Sequence, residues 1–224
     1  MTGAADSFDA NGRERGAAPD RAVPQWVIDV IRPCVRVVSR TLWHVELKGT
    51  ENIPAEGGLV IAANHQTYID PFWISIPVRR PVRYLAWSEA FRNPVLGRPM
   101  EWLGAWPLVV ERGNPTAYRR SMQWLRGGGV VMIFPEGSRA YADGEFSKFK
   151  TGAVRLALEA GVPVLPVTLR GGNRVWPRGQ RWPHTGRVEI TYHPVHRLTM
   201  LPGEDARRCA KRETEALAEI IRDR

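Results

Sequence analysis

His65 and Asp70 carry the first chemistry this sequence offers, in the stretch Leu59-Val-Ile-Ala-Ala-Asn64-His65-Gln66-Thr67-Tyr68-Ile69-Asp70-Pro71. An imidazole that donates one ring N–H to a carboxylate keeps its other nitrogen free to take a proton from an alcohol or water. Five residues apart, the two side chains would stand about 140° from each other on a continuous helix, which would separate them. A loop can bring them together. The apolar run Leu59–Ala63 predicts a buried strand that ends just before the pair. Pro71 disfavours helical conformation at Asp70 and suits the first helical position itself, so Asp70 is expected to be the N-cap of a following helix. Alone the spacing is weak, because a capping aspartate and an ordinary loop histidine would give the same letters.

A second stretch strengthens the first. Val130-Val-Met-Ile-Phe134 predicts another apolar strand, and it runs straight into Pro135-Glu136-Gly137-Ser138-Arg139. Loops at the carboxyl ends of parallel strands are where α/β proteins assemble sites. Pro135 stiffens the strand exit, and Gly137 permits a tight turn or a close substrate approach. Lys148 and Lys150 precede a predicted helix start, and the turn Glu111-Arg112-Gly113-Asn114 follows a predicted strand at Ala105–Val110. Each basic residue taken singly fits a solvated surface charge. Their shared position after strand ends lets Arg112, Arg139 and Lys150 converge on a phosphate, with arginine supplying bidentate geometry.

The elements that must hold these residues follow from periodicity. Strands are predicted at Val45–Lys48, Leu59–Ala63, Val82–Ala86, Ala105–Val110, Val130–Phe134, Val164–Leu169 and Val188–Tyr192. Helices are predicted at Pro71–Pro77, Glu89–Leu103, Pro115–Arg126, Thr151–Ala160 and Glu204–Arg222, the last as a solvated surface element. The alternation implies one α/β domain over residues 45–224, with a mostly parallel central sheet flanked by helices. Residues 1–24, rich in Gly, Ala, Asp and Pro, predict a disordered tail.

Residues 25–44 form an amphipathic helical segment between the two. Trp26, Val27, Ile28, Val30, Ile31, Cys34, Val35, Val37, Val38 and Leu42 occupy one broad arc, and Asp29, Arg32, Arg36, Ser39 and Arg40 occupy the other. Pro33 predicts a kink or two short helices. Two readings remain open: a helix packed on the core, or an interfacial helix with its apolar face in lipid and its arginines at anionic headgroups. The breadth of the arc, and tryptophans near both its ends, favour the second.

The whole composition narrows the classes. The chain has 224 residues, 43% hydrophobic, with a formal net charge of +9. The longest uninterrupted apolar runs, Leu59–Ala63 and Val130–Phe134, are far short of the ~20 residues a membrane-spanning helix needs. No secretory signal is legible, and two cysteines, Cys34 and Cys209, make neither a disulfide framework nor a metal cluster, so a reducing cytoplasmic setting is expected. The positive charge suits a polyanionic partner. Basic residues interleaved with aromatics, as a nucleic-acid reader requires, are not evident, so no nucleic acid is expected. His193 and His196 stand three apart with no obvious carboxylate companion, and no metal is expected. There is no Gly-x-Ser-x-Gly elbow, so no covalent serine intermediate is implied.

Asn64-His65-x4-Asp70, the Glu111-Arg112 turn, Phe134-Pro-Glu136-Gly137-Ser-Arg139 and Val162-Pro163-Val164-Leu165-Pro166-Val167 together resemble, in order and spacing, the four sequence blocks of the lysophosphatidic acid acyltransferase family, over roughly residues 40–200. Thr67 stands where the family usually has Ser, and Ser138 where it usually has Thr; both keep a hydroxyl. The resemblance implies transfer of a fatty acyl group from an acyl-CoA or acyl carrier protein thioester to the sn-2 hydroxyl of 1-acyl-glycerol 3-phosphate, with no cofactor. His65 is then the general base and Asp70 its orienting partner. Glu136, Gly137 and Arg139 are placed at the acceptor phosphate, with Arg112 nearby. The Pro163–Val167 block either shapes the site or forms a buried strand. The expected setting is the inner face of the cell membrane, bound peripherally to an anionic surface. Glycerol 3-phosphate, a lysophospholipid or an aminoacyl lyso-lipid are alternative acceptors, and a thioesterase or a non-catalytic membrane-binding protein is the more distant alternative.

Overall fold

A computed structural model describes residues 22–87, 98, 100–108, 115–140, 142 and 145–222. Seven strands form one sheet: β1 (Glu46–Lys48), β2 (Leu59–Ala63), β3 (Val82–Trp87), β4 (Ala105–Leu108), β5 (Val130–Ile133), β6 (Val164–Arg170) and β7 (Glu189–Tyr192). The helices are α1 (Gln25–Trp43), α2 (Asp70–Ser75), α3 (Pro115–Arg126), α4 (Gly152–Ala160), the single turn α5 (Gly172–Val175) and α6 (Ala206–Arg222). All seven expected strands are present, with described ends within one residue of the expectation; Val109 and Val110 of the expected fourth strand lie outside the described residues. The helix expected at 89–103 falls mostly outside the described residues.

The strand order is β1-β7-β6-β2-β5-β3-β4, and every neighbouring pair is parallel except β6 with β7. β2 lies at the centre, paired on both edges, and all five of its residues are buried. That explains its unbroken apolar sequence, since a strand covered on both faces has no solvent side to alternate with. Its alternate residues feed two cores. Leu59, Ile61 and Ala63 pack with Trp73, Ile74, Leu165, Val167 and Tyr192 on one side. Val60 and Ala62 pack with Leu125, Val154, Leu156, Ala210 and Leu217 on the other. The result is a three-layer α/β domain, as the alternating pattern requires.

Local signals account for the flanking helices. α3 starts at Pro115, a residue that costs nothing at a first helical position, and α4 ends at Gly161 with φ of 69°. The C-terminal helix departs from its expected role as a solvated element. α6 buries Cys209, Ala210, Glu213, Thr214, Leu217, Ala218 and Ile221 against the second core. Apart from the buried Glu213, its mixed charges lie on the outer face.

α1 is one continuous helix with Pro33 inside it, not two short ones. Pro33 sits on the exposed side, where the missing N–H is cheaper to lose. The inner stripe, Ile28, Arg32, Val35, Ser39 and Trp43, runs along the seam between the apolar and polar arcs. Only Ser39 is fully buried, and Arg32 donates to Val78 O at 2.5 Å. Trp26, Val30, Ile31, Val37, Val38 and Leu42 remain exposed, Trp26 by 67%. The helix is tied down along its length. At its start Val23 N–H donates to Trp102 O; at its end Trp43 Nε1–H donates to His184 O and Val188 N–H to Trp43 O. Of the stretch 1–24 expected to be a tail, residues 1–21 lie outside the described residues. No described helix is long and apolar enough to cross a membrane.

Candidate active site

β5, β2 and β6 are parallel neighbours, so the loops that follow them emerge on one edge of the sheet. Asn64 closes β2 by acting as an extra rung of the ladder: its Nδ2–H donates to Leu169 O at 2.8 Å, and its Oδ1 accepts from Leu169 N–H at 2.7 Å. With that end pinned to β6, His65 is the first residue free to turn outward.

His65 Nδ1–H donates to Asp70 Oδ2 at 2.9 Å. Asp70 is wholly buried. A carboxylate removed from water needs several donors to remain ionised. Asp70 has four: His65 Nδ1–H, the backbone N–H groups of Gln66 and Thr67 at 2.5 and 2.7 Å, and the Thr67 hydroxyl at 2.5 Å. These donors precede Asp70 in sequence. The expectation that Asp70 would be an N-cap is therefore corrected. α2 starts at Asp70 itself with Ile69 in the cap position, and the carboxylate turns back into the loop instead of forward into the helix. Thr67 also accepts from Ile69 N–H at 3.1 Å, which closes the turn. A carboxylate acceptor fixes the proton on Nδ1, so Nε2 carries the lone pair. Among the described residues Nε2 has no hydrogen-bond partner, and the side chain is 19% exposed.

The β5 loop reaches the same histidine from the neighbouring strand. The Phe134 ring stacks on the imidazole with centroids 4.1 Å apart and planes 21° from parallel. Glu136 is buried; one carboxylate oxygen accepts from His65 N–H at 2.9 Å and the other from Ser147 N–H at 2.8 Å. Burial pushes its carboxyl pKa up, against the opposing pull of those two N–H groups. His65 O in turn accepts from Ala140 N–H at 2.8 Å. Glu136 therefore laces the β2 loop, the β5 loop and the 147 segment together.

Gly137 adopts φ of +72°, the left-handed region that favours glycine. A Cβ at this position would lie 2.6 Å from Lys150 Nζ, so the ammonium rests directly against the glycine. Arg139 lies over the Tyr68 ring, its Cζ 3.6 Å from the centroid. Among the described residues, neither Arg139 nor Lys150 spends its side-chain donors on a hydrogen bond or ion pair within the protein. Two cations with free donors thus flank the turn that follows Phe134. Arg112 lies outside the described residues.

The other sequence candidates resolve differently. Pro163–Val167 enters β6, whose first six residues are buried, so the block is a core strand. His193 and His196 part company. His193 Nε2 is bonded to Thr168 Oγ1 at 2.8 Å, and His196 Nε2 to Glu213 Oε2 at 2.6 Å, a carboxylate that α6 brings from 17 residues away. Periodicity did not identify Asn64, Thr67 and Phe134 as supports of the site; a polar residue at the very end of an apolar strand was the only local sign, at Asn64.

A sequence model of the family described as Acyltransferase matches residues 44–170, more than half of the chain. The chain belongs to the acyltransferase family. The paired His65 and Asp70, Glu136 and the two β-strand exits all fall within the matched acyltransferase region. A chloroplast 1-acyl-sn-glycerol-3-phosphate acyltransferase of Arabidopsis thaliana is 30% identical over 159 residues, 69% of this chain and 44% of that one. The enzyme of the same description from Bacillus subtilis is 27% identical over 150 residues, 65% of this chain and 74% of its own. The match thus spans less than half the length of the two chloroplast relatives, 44% and 46%. The crystal structure of the 1-acyl-sn-glycerophosphate acyltransferase PlsC from Thermotoga maritima has a TM-score of 0.69 with 26% identity, covering 88% of this chain and 78% of that one.

Proposed function

We propose that this acyltransferase moves a fatty acyl group from an acyl-CoA or acyl carrier protein thioester to the free sn-2 hydroxyl of 1-acyl-glycerol 3-phosphate, giving phosphatidic acid. The observation that carries the reading is the single-sided imidazole: Nδ1 held by the buried Asp70, Nε2 open, and two uncommitted cations beside the neighbouring strand exit. The descriptions of the relatives support the acceptor.

The steps follow from these positions. The acceptor's phosphate meets Arg139 and Lys150, and Arg112, outside the described residues, is proposed as a further phosphate ligand. Gly137, lacking a side chain, lets it approach, and Glu136 serves that pocket by bracing His65. His65 Nε2 takes the hydroxyl proton as the oxygen bonds to the thioester carbonyl carbon. Asp70 stabilises the imidazolium that forms. Collapse of the tetrahedral intermediate breaks the C–S bond, and the thiolate leaves and takes up the proton. No cofactor is consumed. α1, with its exposed apolar side, rests peripherally on an anionic membrane surface at the inner face of the cell membrane.

The direct test is steady-state transfer of labelled acyl chains from acyl-CoA and from acyl carrier protein to a panel of lyso-lipids. His65→Ala is expected to abolish transfer, and Asp70→Asn to lower kcat by about 10³–10⁴-fold by favouring the wrong tautomer. Circular dichroism checks that both variants remain folded. Wild-type turnover in either folded variant would refute the base pair.

A further inference from the structure

Tyr68 is the one side chain of the His65–Asp70 loop that turns out to solvent. It is 60% exposed, whereas Gln66, Thr67 and Asp70 are buried and His65 and Ile69 are largely covered. Closing the loop needs nothing from it, because Thr67 and the backbone satisfy Asp70. What Tyr68 touches is the other half of the site. Arg139 Cζ lies 3.6 Å above its ring centre, and Trp176 meets the same ring edge-on, centroids 5.6 Å apart at 69°.

The backbone of Arg139 is held from two further directions. Its carbonyl accepts from Arg178 Nη1–H at 3.3 Å, and the next residue, Ala140, donates to His65 O at 2.8 Å. Main chain and side chain of Arg139 are therefore both referred to the loop that carries the general base. A cation resting on an aromatic face is attracted through its flat side, which leaves its rim of N–H donors for another partner. Those donors are the bidentate fork that suits a phosphate.

We infer that Tyr68 is a positioning residue for the acceptor: its ring is the shelf that fixes the Arg139 guanidinium relative to His65. An anchored phosphate then presents the neighbouring hydroxyl to Nε2. This rests on the reading that Arg139 binds the acceptor phosphate. Without the shelf, Arg139 samples many rotamers, and the acceptor must order it on binding. The loss falls on acceptor affinity and spares the chemical step.

The test is a double-mutant cycle between Tyr68→Leu and Arg139→Ala, with Tyr68→Phe as the conservative variant. Kinetics are measured with 1-acyl-glycerol 3-phosphate and acyl-CoA in mixed micelles of fixed composition. Tyr68→Leu should raise the acceptor KM about fivefold to tenfold, with kcat and the acyl-CoA KM unchanged within twofold. Tyr68→Phe keeps the ring and should match the wild type. In the Arg139→Ala background, Tyr68→Leu should add nothing. If Arg139→Ala leaves the acceptor KM unchanged, the phosphate reading fails and the inference falls with it. If Arg139→Ala raises KM but Tyr68→Leu does not, or adds its whole effect in both backgrounds, Tyr68 alone is misassigned. A parallel rise in the acyl-CoA KM, or a Tyr68→Phe variant as poor as Tyr68→Leu, also overturns it.

Discussion

At the scale of residues, the site depends on small groups that hold larger ones. Gly137 is the sharpest case. Its positive φ strains any L side chain by about 1 kcal/mol, and a methyl group there meets the end of Lys150. The lysine is flexible and can retreat, so the steric conflict should displace the ammonium more than it disturbs the turn. Gly137→Ala is expected to lower the melting temperature by only a few degrees while raising the acceptor KM severalfold, as read by thermal denaturation beside steady-state kinetics. The pairing of His65 with Asp70 was legible in sequence only because a second strand exit and the family's other blocks stood beside a spacing that is weak alone. Their supports were not. Asn64 fastens β2 to β6 across 105 residues of sequence, and Phe134 stacks on His65 from a neighbouring strand. Only tertiary structure creates those partners.

At the scale of elements, α6 shows why a charged helix can still belong to the core. Its outer face carries the charges that made it look solvated, while Glu213 points inward to His196, Arg212 and Thr199 N–H. Burial alone would raise the Glu213 carboxyl pKa, but the hydrogen bonds from His196, Arg212 and Thr199 outweigh it and hold it below the ordinary value. A carboxylate whose pKa is depressed on folding contributes stability above its unfolded pKa, near 4.5, and loses it as pH falls through the lower folded value. Glu213→Gln should cost about 2–4 kcal/mol at pH 7, from the loss of charged hydrogen bonds in a buried site. The difference from wild type should shrink as both are melted at successively lower pH, below about 4.5. A gap that widens on acidification would contradict the assignment. The strands, by contrast, were readable almost residue by residue, because central parallel strands such as β2 are apolar throughout and turn-forming residues bound them.

At the scale of the whole molecule, α1 turns toward solvent the surface that a core-packed helix would hide. A helical wheel shows two arcs but not which of them faces the body, and here the body takes the seam between them. Burying a valine-sized side chain is worth about 1.5 kcal/mol or more, and an acidic residue at an anionic interface adds repulsion. Val30→Glu and Val37→Glu should each weaken binding to phosphatidylglycerol-containing liposomes at least tenfold in a flotation assay, with the melting temperature unchanged because both residues are exposed. Retention of full liposome binding by the double variant would remove α1 from the membrane contact.

The fastenings along α1 have one more consequence. Bonds at Val23, Arg32, Trp43 and Val188 span its whole length, so this rod cannot pivot on a single hinge. The lipid film that receives its outer side would thereby set the tilt and height of the catalytic cleft. Under the proposed function, ester formation would then be confined to molecules lying in that one leaflet.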